Sequence, residues 1–128
     1  MMTVRAVSHF RDEEMGFEAL VLADQDLAPE WQVEFQRSLD PDEQDVAQGM
    51  DSYCITLANG ACAYECLSSA LVEEGRLCMV FSEDGAQKLG LESSQLTLSL
   101  DLDAYQVNDL KRGLRSVLGR DSNPPALD

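Results

Sequence analysis

Residues 96–117 have the sequence LTLSLDLDAYQVNDLKRGLRSV, in which the apolar residues first recur at every second position and then at every third or fourth. The alternation from Leu96 to Leu102 is typical of a half-buried strand. The later apolar residues form one helical stripe, which consists of Val107, Leu110, Leu114 and Val117. Asp103 precedes this stripe and Gln106 follows three residues later, a spacing that predicts a capping box. The segment therefore predicts a strand followed directly by an amphipathic helix that ends at Gly119.

Alternating apolar and polar residues also predict strands in most of the chain before this segment. The predicted strands lie at residues 4–9, 17–23, 31–36, 52–58 and 76–81, and one more runs from Ala61 onward. Asn59-Gly60 predicts a two-residue type I′ turn, because both central residues of that turn need positive φ. Residues 73–75 predict a second hairpin. Ser82 is a candidate N-cap for a short helix that ends near Gly90.

Together these elements predict an α+β fold. We expect a mainly antiparallel sheet of about seven strands, with the C-terminal amphipathic helix packed on one face and a second short helix elsewhere. The length of 128 residues is typical of one domain, which we place at residues 1–119. Residues 120–128 contain two consecutive prolines and predict a flexible C-terminal tail.

The charge balance is the most unusual bulk property of the chain. It has 24 acidic and 9 basic residues and a net charge of −15, and residues 1–103 hold 21 of the acids but only 5 of the bases. Such a field repels nucleic acid and anionic lipid and attracts basic partners. Composition alone is equally compatible with acidity that only keeps the protein soluble. No stretch has the apolar length of a membrane span or an export signal, so we expect a cytoplasmic protein.

The residues that could carry chemistry do not form a recognisable catalytic or metal-binding pattern. His9 is the single histidine, and one histidine cannot serve as both a base and a metal ligand. The cysteines lack the tight pairing of zinc sites, and we expect them to be free thiols in the core: Cys54, Cys62, Cys66 and Cys78. The acids of residues 40–45 lack the central glycine and the distal glutamate of a calcium loop. We therefore expect a protein that is not an enzyme and that holds no metal or cofactor.

Residues 42–54, DEQDVAQGMDSYC, are the least generic stretch. They resemble the signature of the Immunity protein 10 family of bacterial polymorphic toxin systems, in which an acidic Glu-Gln-Asp cluster precedes Gly-Met-Asp, Ser or Thr, Tyr and Cys. A hairpin with Gly60-Ala61 and Tyr64, and the leucine-alternating strand before the last helix, also resemble that family. Family members usually have glycines directly after the tyrosine of the second hairpin strand, where this chain has Glu65-Cys66.

The resemblance implies a small protein that binds and neutralises a cognate toxin made beside it. A basic toxin would be steered onto so acidic an inhibitor. Our hypothesis is that the acidic loop, residues 40–51, presents carboxylates to a cationic toxin surface, and that one of two aromatic residues anchors the contact. The carboxylates are Asp42, Glu43, Asp45 and Asp51, and the aromatic candidates are Tyr53 and Trp31. The structural alternative is that Glu43 and Asp45 bond the backbone of their own loop and fix the turn.

A second class of function also fits the size, charge and fold class. The chain could be an acidic secretion chaperone or adaptor that binds a client protein. Such proteins generally act as dimers with exposed apolar grooves, so a monomeric state in solution would count against this function. An exposed edge strand could support a homodimer through sheet pairing.

Overall fold

The computed structural model of the protein describes residues 2–40, 42–47, 52–119 and 124–127, and within them the side chain of Asp45 is not described. The strands are β1 (Thr3–Val4), β2 (Ala6–Asp12), β3 (Phe17–Ala23), β4 (Gln32–Ser38), β5 (Cys54–Leu57), β6 (Cys62–Tyr64), β7 (Leu67–Glu73), β8 (Arg76–Phe81), β9 (Gln95–Leu100) and β10 (Ala126–Leu127). The helices are α1 (Glu43–Ala47), α2 (Glu83–Leu89) and α3 (Ala104–Leu118). None of the helices in the described ranges has the length and apolarity to cross a membrane.

The strands form two sheets of five strands each. The first, here the N-terminal sheet, has the order β2-β3-β4-β5-β6 and is antiparallel throughout. The second sheet has the order β1-β9-β8-β7-β10, with parallel pairs at both edges. The predicted α+β class is confirmed, but the prediction of one sheet with about seven strands is wrong. The parallel pairs join segments far apart in the sequence, which local patterns do not reveal.

The chain passes from the N-terminal sheet to the second sheet at Glu65 and Cys66. The sequence predicted one strand from Ala61 onward that includes residues 62–66, but β6 ends at Tyr64, and Glu65 has a positive φ of 50°. An extended strand cannot continue through this left-handed conformation. The chain therefore leaves the N-terminal sheet at Glu65 and enters the second sheet at Leu67.

The first of the two predicted hairpins does not have the predicted type I′ turn, whereas the second has a turn of that type. Between β5 and β6 only Gly60 has positive φ, at 86°, and its amide donates to the Leu57 carbonyl. This is a three-residue loop with glycine in the left-handed position and not a two-residue type I′ turn. Between β7 and β8, both Glu74 and Gly75 have positive φ, 49° and 76°, as a type I′ turn requires.

Helix α3 lies against one face of the N-terminal sheet, on β2, β3 and β4. We call this the inner face, and its buried residues include Leu20, Leu22, Val33, Phe35 and Ile55. The approach is close, because a Cβ added at Gly113 would lie 2.7 Å from Leu20 Cδ1. At the end of the helix, Arg37 Nη1 donates to the Val117 carbonyl oxygen over 2.8 Å. The predicted position of this helix on one face of a sheet is confirmed.

The predicted ends of both longer helices are confirmed. Asp103 and Gln106 form the reciprocal capping box at the start of α3. The Ser82 side chain accepts a hydrogen bond from the Gly85 amide at the start of α2, and Gly90 ends α2 in the left-handed conformation. Apolar residues of both sheets and both helices form one continuous core cluster.

The C-terminal segment was predicted to be a flexible tail over residues 120–128. Its described part includes β10, which pairs in parallel with Ser69 and Ala70 of β7. Residues 120–123 and 128 lie outside the described residues, and for them a flexible tail stays a prediction.

The left-handed conformation of Glu65 predicts an unusual response to glycine. We expect Glu65→Gly to leave the free energy of unfolding unchanged or raise it by up to about 1 kcal/mol, because glycine removes the strain of positive φ. Glu65→Val should lower it by about 1–2 kcal/mol. The control is Glu73→Gly on β7, where φ is ordinary and a loss of about 0.5–1 kcal/mol is expected. Urea denaturation measures the free energy of unfolding of all three variants. An equal loss for Glu65→Gly and Glu73→Gly would show that the positive φ of Glu65 carries no strain.

Candidate functional site

The residues that the sequence singled out for partner binding do not form one cluster. Trp31 lies just before β4 and the acidic loop follows its other end, so about 20 Å of strand separates them. Asp42 and Glu43 are exposed. The side chain of Asp45, and Asp51 as a whole, lie outside what the structure describes.

Tyr53 is buried, with 1% of its surface exposed. Its hydroxyl accepts a hydrogen bond from the Leu67 amide over 2.9 Å and lies 3.4 Å from the Leu67 carbonyl oxygen. These bonds join the start of β5 to the start of β7, across the change of sheet. In this position Tyr53 stabilises the fold and is not accessible to a partner, which leaves Trp31 as the other aromatic candidate from the sequence.

The outer face of the N-terminal sheet, opposite α3, carries large side chains that are not covered. Phe10 and Tyr64 project from this face with 43% and 40% of their surface exposed. Phe10 packs edge-on against Phe17 at a ring separation of 5.9 Å. Met15, in the turn between β2 and β3, is 74% exposed. Exposed aromatic and methionine side chains grouped in this way are typical of protein interfaces.

A concavity of about 400 Å³ lies at one end of this outer face, and we call it the aromatic pocket. It is lined by Met15, Gly16, Phe17, Gln36, Arg37, Ser38, Ser52, Cys54 and Tyr64. The strand register explains the grouping, because Phe17 pairs with Ser38, Gln36 pairs with Cys54, and Cys54 pairs with Tyr64. Neighbouring strands therefore bring residues from four separate segments to one site.

Acidic residues border the aromatic pocket, and we call this border the acidic end of the sheet. It consists of the exposed residues Glu13, Glu14, Asp40, Asp42 and Glu65. The turn after β2 and the segment after β4 meet here, because the Leu39 amide donates to the Gly16 carbonyl over 2.8 Å. Glu65 follows Tyr64 and is held at the same end by a bond from its amide to the Tyr53 carbonyl. Part of the sequence-predicted acidic loop thus lies beside the pocket.

The outward-facing positions of the N-terminal sheet include no lysine, arginine or histidine on any of its five strands. Arg11 and Arg37 alternate onto the inner side instead, level with Glu18 of β3. The charges of this face are those of Asp12 and Glu34. The face is consequently apolar and acidic. A surface of this charge is complementary to a basic protein.

Trp31 lies in a different and smaller concavity of about 210 Å³ at the opposite end of β4. Its lining is mostly apolar and consists of Met2, Trp31, Gln32, Val33, Leu57, Ala58, Asn59, Leu91 and Leu96. Trp31 is half-buried there and packs against the core cluster. The carboxylates of the acidic end are not part of this site.

The four cysteines are free thiols, but they are not all in the core: Cys66 is buried, Cys54 and Cys78 are half-buried, and Cys62 is exposed. The prediction of a core position is therefore wrong for Cys62. Burial raises the pKa of the Cys54 thiol, Cys62 and Glu34 raise it further, and a hydrogen bond with Thr56 opposes them. Burial raises the pKa of Cys66 to about 12. Within the described ranges, no three histidine, cysteine or acidic side chains converge as metal ligands. Protonated thiols are also poor nucleophiles and poor ligands.

His9 takes part in a buried contact beneath α3. Its Nε2 lies 2.8 Å from Glu18 Oε2, and the Ser116 hydroxyl also donates to that oxygen. In a hydrolase triad the serine hydroxyl must contact the imidazole, whereas here serine and histidine both contact the carboxylate. Glu18 is only 3% exposed. The arrangement ties β2, β3 and α3 together.

Because Tyr53 is buried, we predict that removing its hydroxyl destabilises the protein more than removing that of an exposed tyrosine. We expect Tyr53→Phe to lower the free energy of unfolding by about 1–3 kcal/mol, because the buried Leu67 amide loses its acceptor. Tyr105→Phe, at a position of α3 that is 74% exposed, should change it by less than about 0.5 kcal/mol, as is usual at exposed positions. Chemical denaturation with fluorescence detection compares the two, and an equal effect would contradict the assignment.

The buried Cys66 thiol predicts a loss of stability at alkaline pH. The unfolded thiol ionises near its ordinary pKa of 9.0, while the folded one keeps its proton until about pH 12. The stabilisation is therefore complete below pH 9 and falls by about 1.4 kcal/mol per pH unit above it. Cys66→Ala should flatten the dependence of the unfolding free energy on pH between these values. Denaturant titrations at several pH values test this, and identical slopes would refute it.

The family model described as Immunity protein 10 matches residues 3–108, most of the chain. This range includes the N-terminal sheet, the acidic end and the aromatic pocket. Neither the curated proteins nor the solved structures include a significant match.

Proposed function

The chain belongs to the Immunity protein 10 family, and from this premise we propose that it neutralises a cognate bacterial toxin by binding the toxin domain in the cytoplasm of the producing cell. The proposed action is stoichiometric binding and not catalysis. The family match over residues 3–108 is the observation that carries this proposal. A cytoplasmic setting is proposed because the toxin must be neutralised before it reaches its target in the cell that makes it.

The outer face of the N-terminal sheet supports a binding function. Phe10, Met15 and Tyr64 expose 43%, 74% and 40% of their surface there. Aromatic and methionine side chains contribute a large share of the binding energy at many interfaces. A net charge of −15 would accelerate association with a basic toxin and make the rate sensitive to salt.

We further propose that the acidic loop contributes to this interface. Its candidate carboxylates are Asp42, Glu43, Asp45 and Asp51, of which the first two are exposed in the structure. Trp31, at the far end of β4, would contact the toxin only if the interface extends the full length of that strand. The structural alternative, in which Glu43 and Asp45 hold the loop itself, makes a different prediction.

The function predicts protection of cells from a neighbouring toxin. We expect the C-terminal domain of the secreted protein encoded beside this chain to arrest growth when it is expressed alone. Coexpression of this chain should restore growth, and the two purified proteins should form a 1:1 complex in calorimetry. The control is an unrelated immunity protein, which is coexpressed in place of this chain. Arrested growth despite coexpression, with no complex in calorimetry, would refute the function for that toxin.

The acidic loop can be tested with the double variant Glu43→Ala, Asp45→Ala. If the two carboxylates contact the toxin, we expect the dissociation constant to rise by about 10-fold or more, since close charge pairs couple by at least about 1.5 kcal/mol. The melting temperature should then be unchanged. A lowered melting temperature with unchanged affinity would assign both residues to folding.

A further inference from the structure

We infer that the aromatic pocket receives a lysine or arginine side chain of the toxin and forms the centre of the interface. This inference rests on the proposed function and adds to it the place of contact and the chemistry of the contacting group. It assigns the role of aromatic anchor to Tyr64 and Phe17, in place of the buried Tyr53.

The walls of the pocket suit the aliphatic part of a long basic side chain. Met15, Phe17 and Tyr64 provide apolar surface on two sides. The edge-on contact with Phe10 fixes the Phe17 ring, so little side-chain entropy remains to be lost on binding. Aromatic rings also attract cations to their faces. A volume of about 400 Å³ is ample for one such side chain.

The polar groups of the pocket suit the charged end of that side chain. Gln36, Ser38 and Ser52 line it and carry oxygen atoms that can accept hydrogen bonds. Glu14 and Glu65 of the acidic end directly adjoin the lining residues Met15 and Tyr64 in the chain. Guanidinium and ammonium groups are donors only, so this combination of acceptors and negative charge matches them.

The outward-facing positions of the five strands carry no lysine, arginine or histidine that could occupy the pocket. Arg37 is part of the lining, but its Nη1 donates to the Val117 carbonyl on the opposite side of the sheet. Arg11 lies 3.8 Å from Glu13 and offsets part of the charge of the acidic end. The five carboxylates of the acidic end outnumber these two arginines, so the charge beside the pocket is negative and favours a positive group from another molecule.

A basic protein is a better occupant than a second copy of this chain. Two copies would each carry a net charge of −15, and their mutual repulsion opposes self-association. The charge of the face is complementary to a cationic partner, and the exposed aromatic residues require a partner with apolar surface around its basic side chain.

The test uses the full chain, with the C-terminal domain of the secreted protein encoded beside it as the probe. The main variant is Met15→Lys, which places a positive charge at the pocket at a position 74% exposed. Its matched control is Leu27→Lys, an 84% exposed position in the loop at the opposite end of the sheet. Both variants change the net charge equally. Met15→Gln separates the added charge from the loss of the methionine side chain.

Calorimetry should give a dissociation constant for Met15→Lys that is at least about 10-fold higher than that of the wild type, because like charges oppose each other in the complex. Leu27→Lys should stay within about threefold, because screening is strong over a distance of two Debye lengths. Met15→Gln should fall between these two. The melting temperatures of all three variants verify that each is folded.

A second pair of variants tests the floor of the pocket. Gln36 and Gln32 lie on the same face of β4, about 13 Å apart, and only Gln36 lines the pocket. We expect Gln36→Lys to weaken binding and Gln32→Lys to leave it nearly unchanged. Replacing each surface lysine and arginine of the toxin domain by glutamate should then identify one residue whose loss of affinity is partly restored by Met15→Lys.

The outcomes separate this inference from the function on which it rests. If the wild type binds the toxin domain but Met15→Lys and Gln36→Lys bind equally well, the pocket is not the site, and the proposed function stands. If no toxin residue is restored by Met15→Lys, the contacting group is not a single cation. A wild-type dimer in sedimentation that Met15→Lys dissociates would assign the pocket to self-association. If the wild type does not bind the domain, the proposed function fails and the inference fails with it.

Discussion

The contact between α3 and the inner face of the N-terminal sheet determines which side chains of that sheet face solvent. The helix approaches so closely at Gly113 that Leu20 fills the space of a side chain, and the Arg37 bond to Val117 and the Glu18 contacts hold it there. Side chains alternate between the two faces of a strand, so α3 covers one set of side chains on β2, β3 and β4 and the other set lies on the opposite face. Phe10 of β2 belongs to that opposite face and is exposed.

Local sequence patterns predicted the elements better than their arrangement. The capping box at Asp103 and the left-handed Gly90 depend on neighbouring residues only, and both were predicted correctly. The division into two sheets depends on the left-handed conformation of Glu65 and on pairs such as β1 with β9. A glutamate gives no signal for positive φ, and parallel pairing of distant segments has no local pattern. The number of sheets could not be predicted for these two reasons.

The sequence placed the acidic loop and Tyr53 in one candidate interface, whereas the structure buries Tyr53. The acidic loop was evident from its composition, and its exposed residues Asp42 and Glu43 lie near the pocket end of the sheet. Tyr53 and the buried Ile55 are two residues apart, so strand alternation already indicated that they share a face. Tyr64 pairs with Cys54 on the opposite face. Recognising the pocket required the register of four segments, which only the structure provides.

The placement of the basic residues bears on whether the acidity serves solubility or binding. Solubility depends on net charge and is indifferent to where the few cations lie. Here Arg37 satisfies a carbonyl at the C-terminal end of α3, where a positive charge is favourable, and Arg5 and Lys88 pair with Asp101 and Asp84 away from the outer face. Exposed pairs of this kind contribute little to stability, so stability does not explain their distribution. A face that combines exposed aromatic residues with carboxylates, and has no cation at its outward-facing strand positions, is what the proposed contact with a basic partner requires.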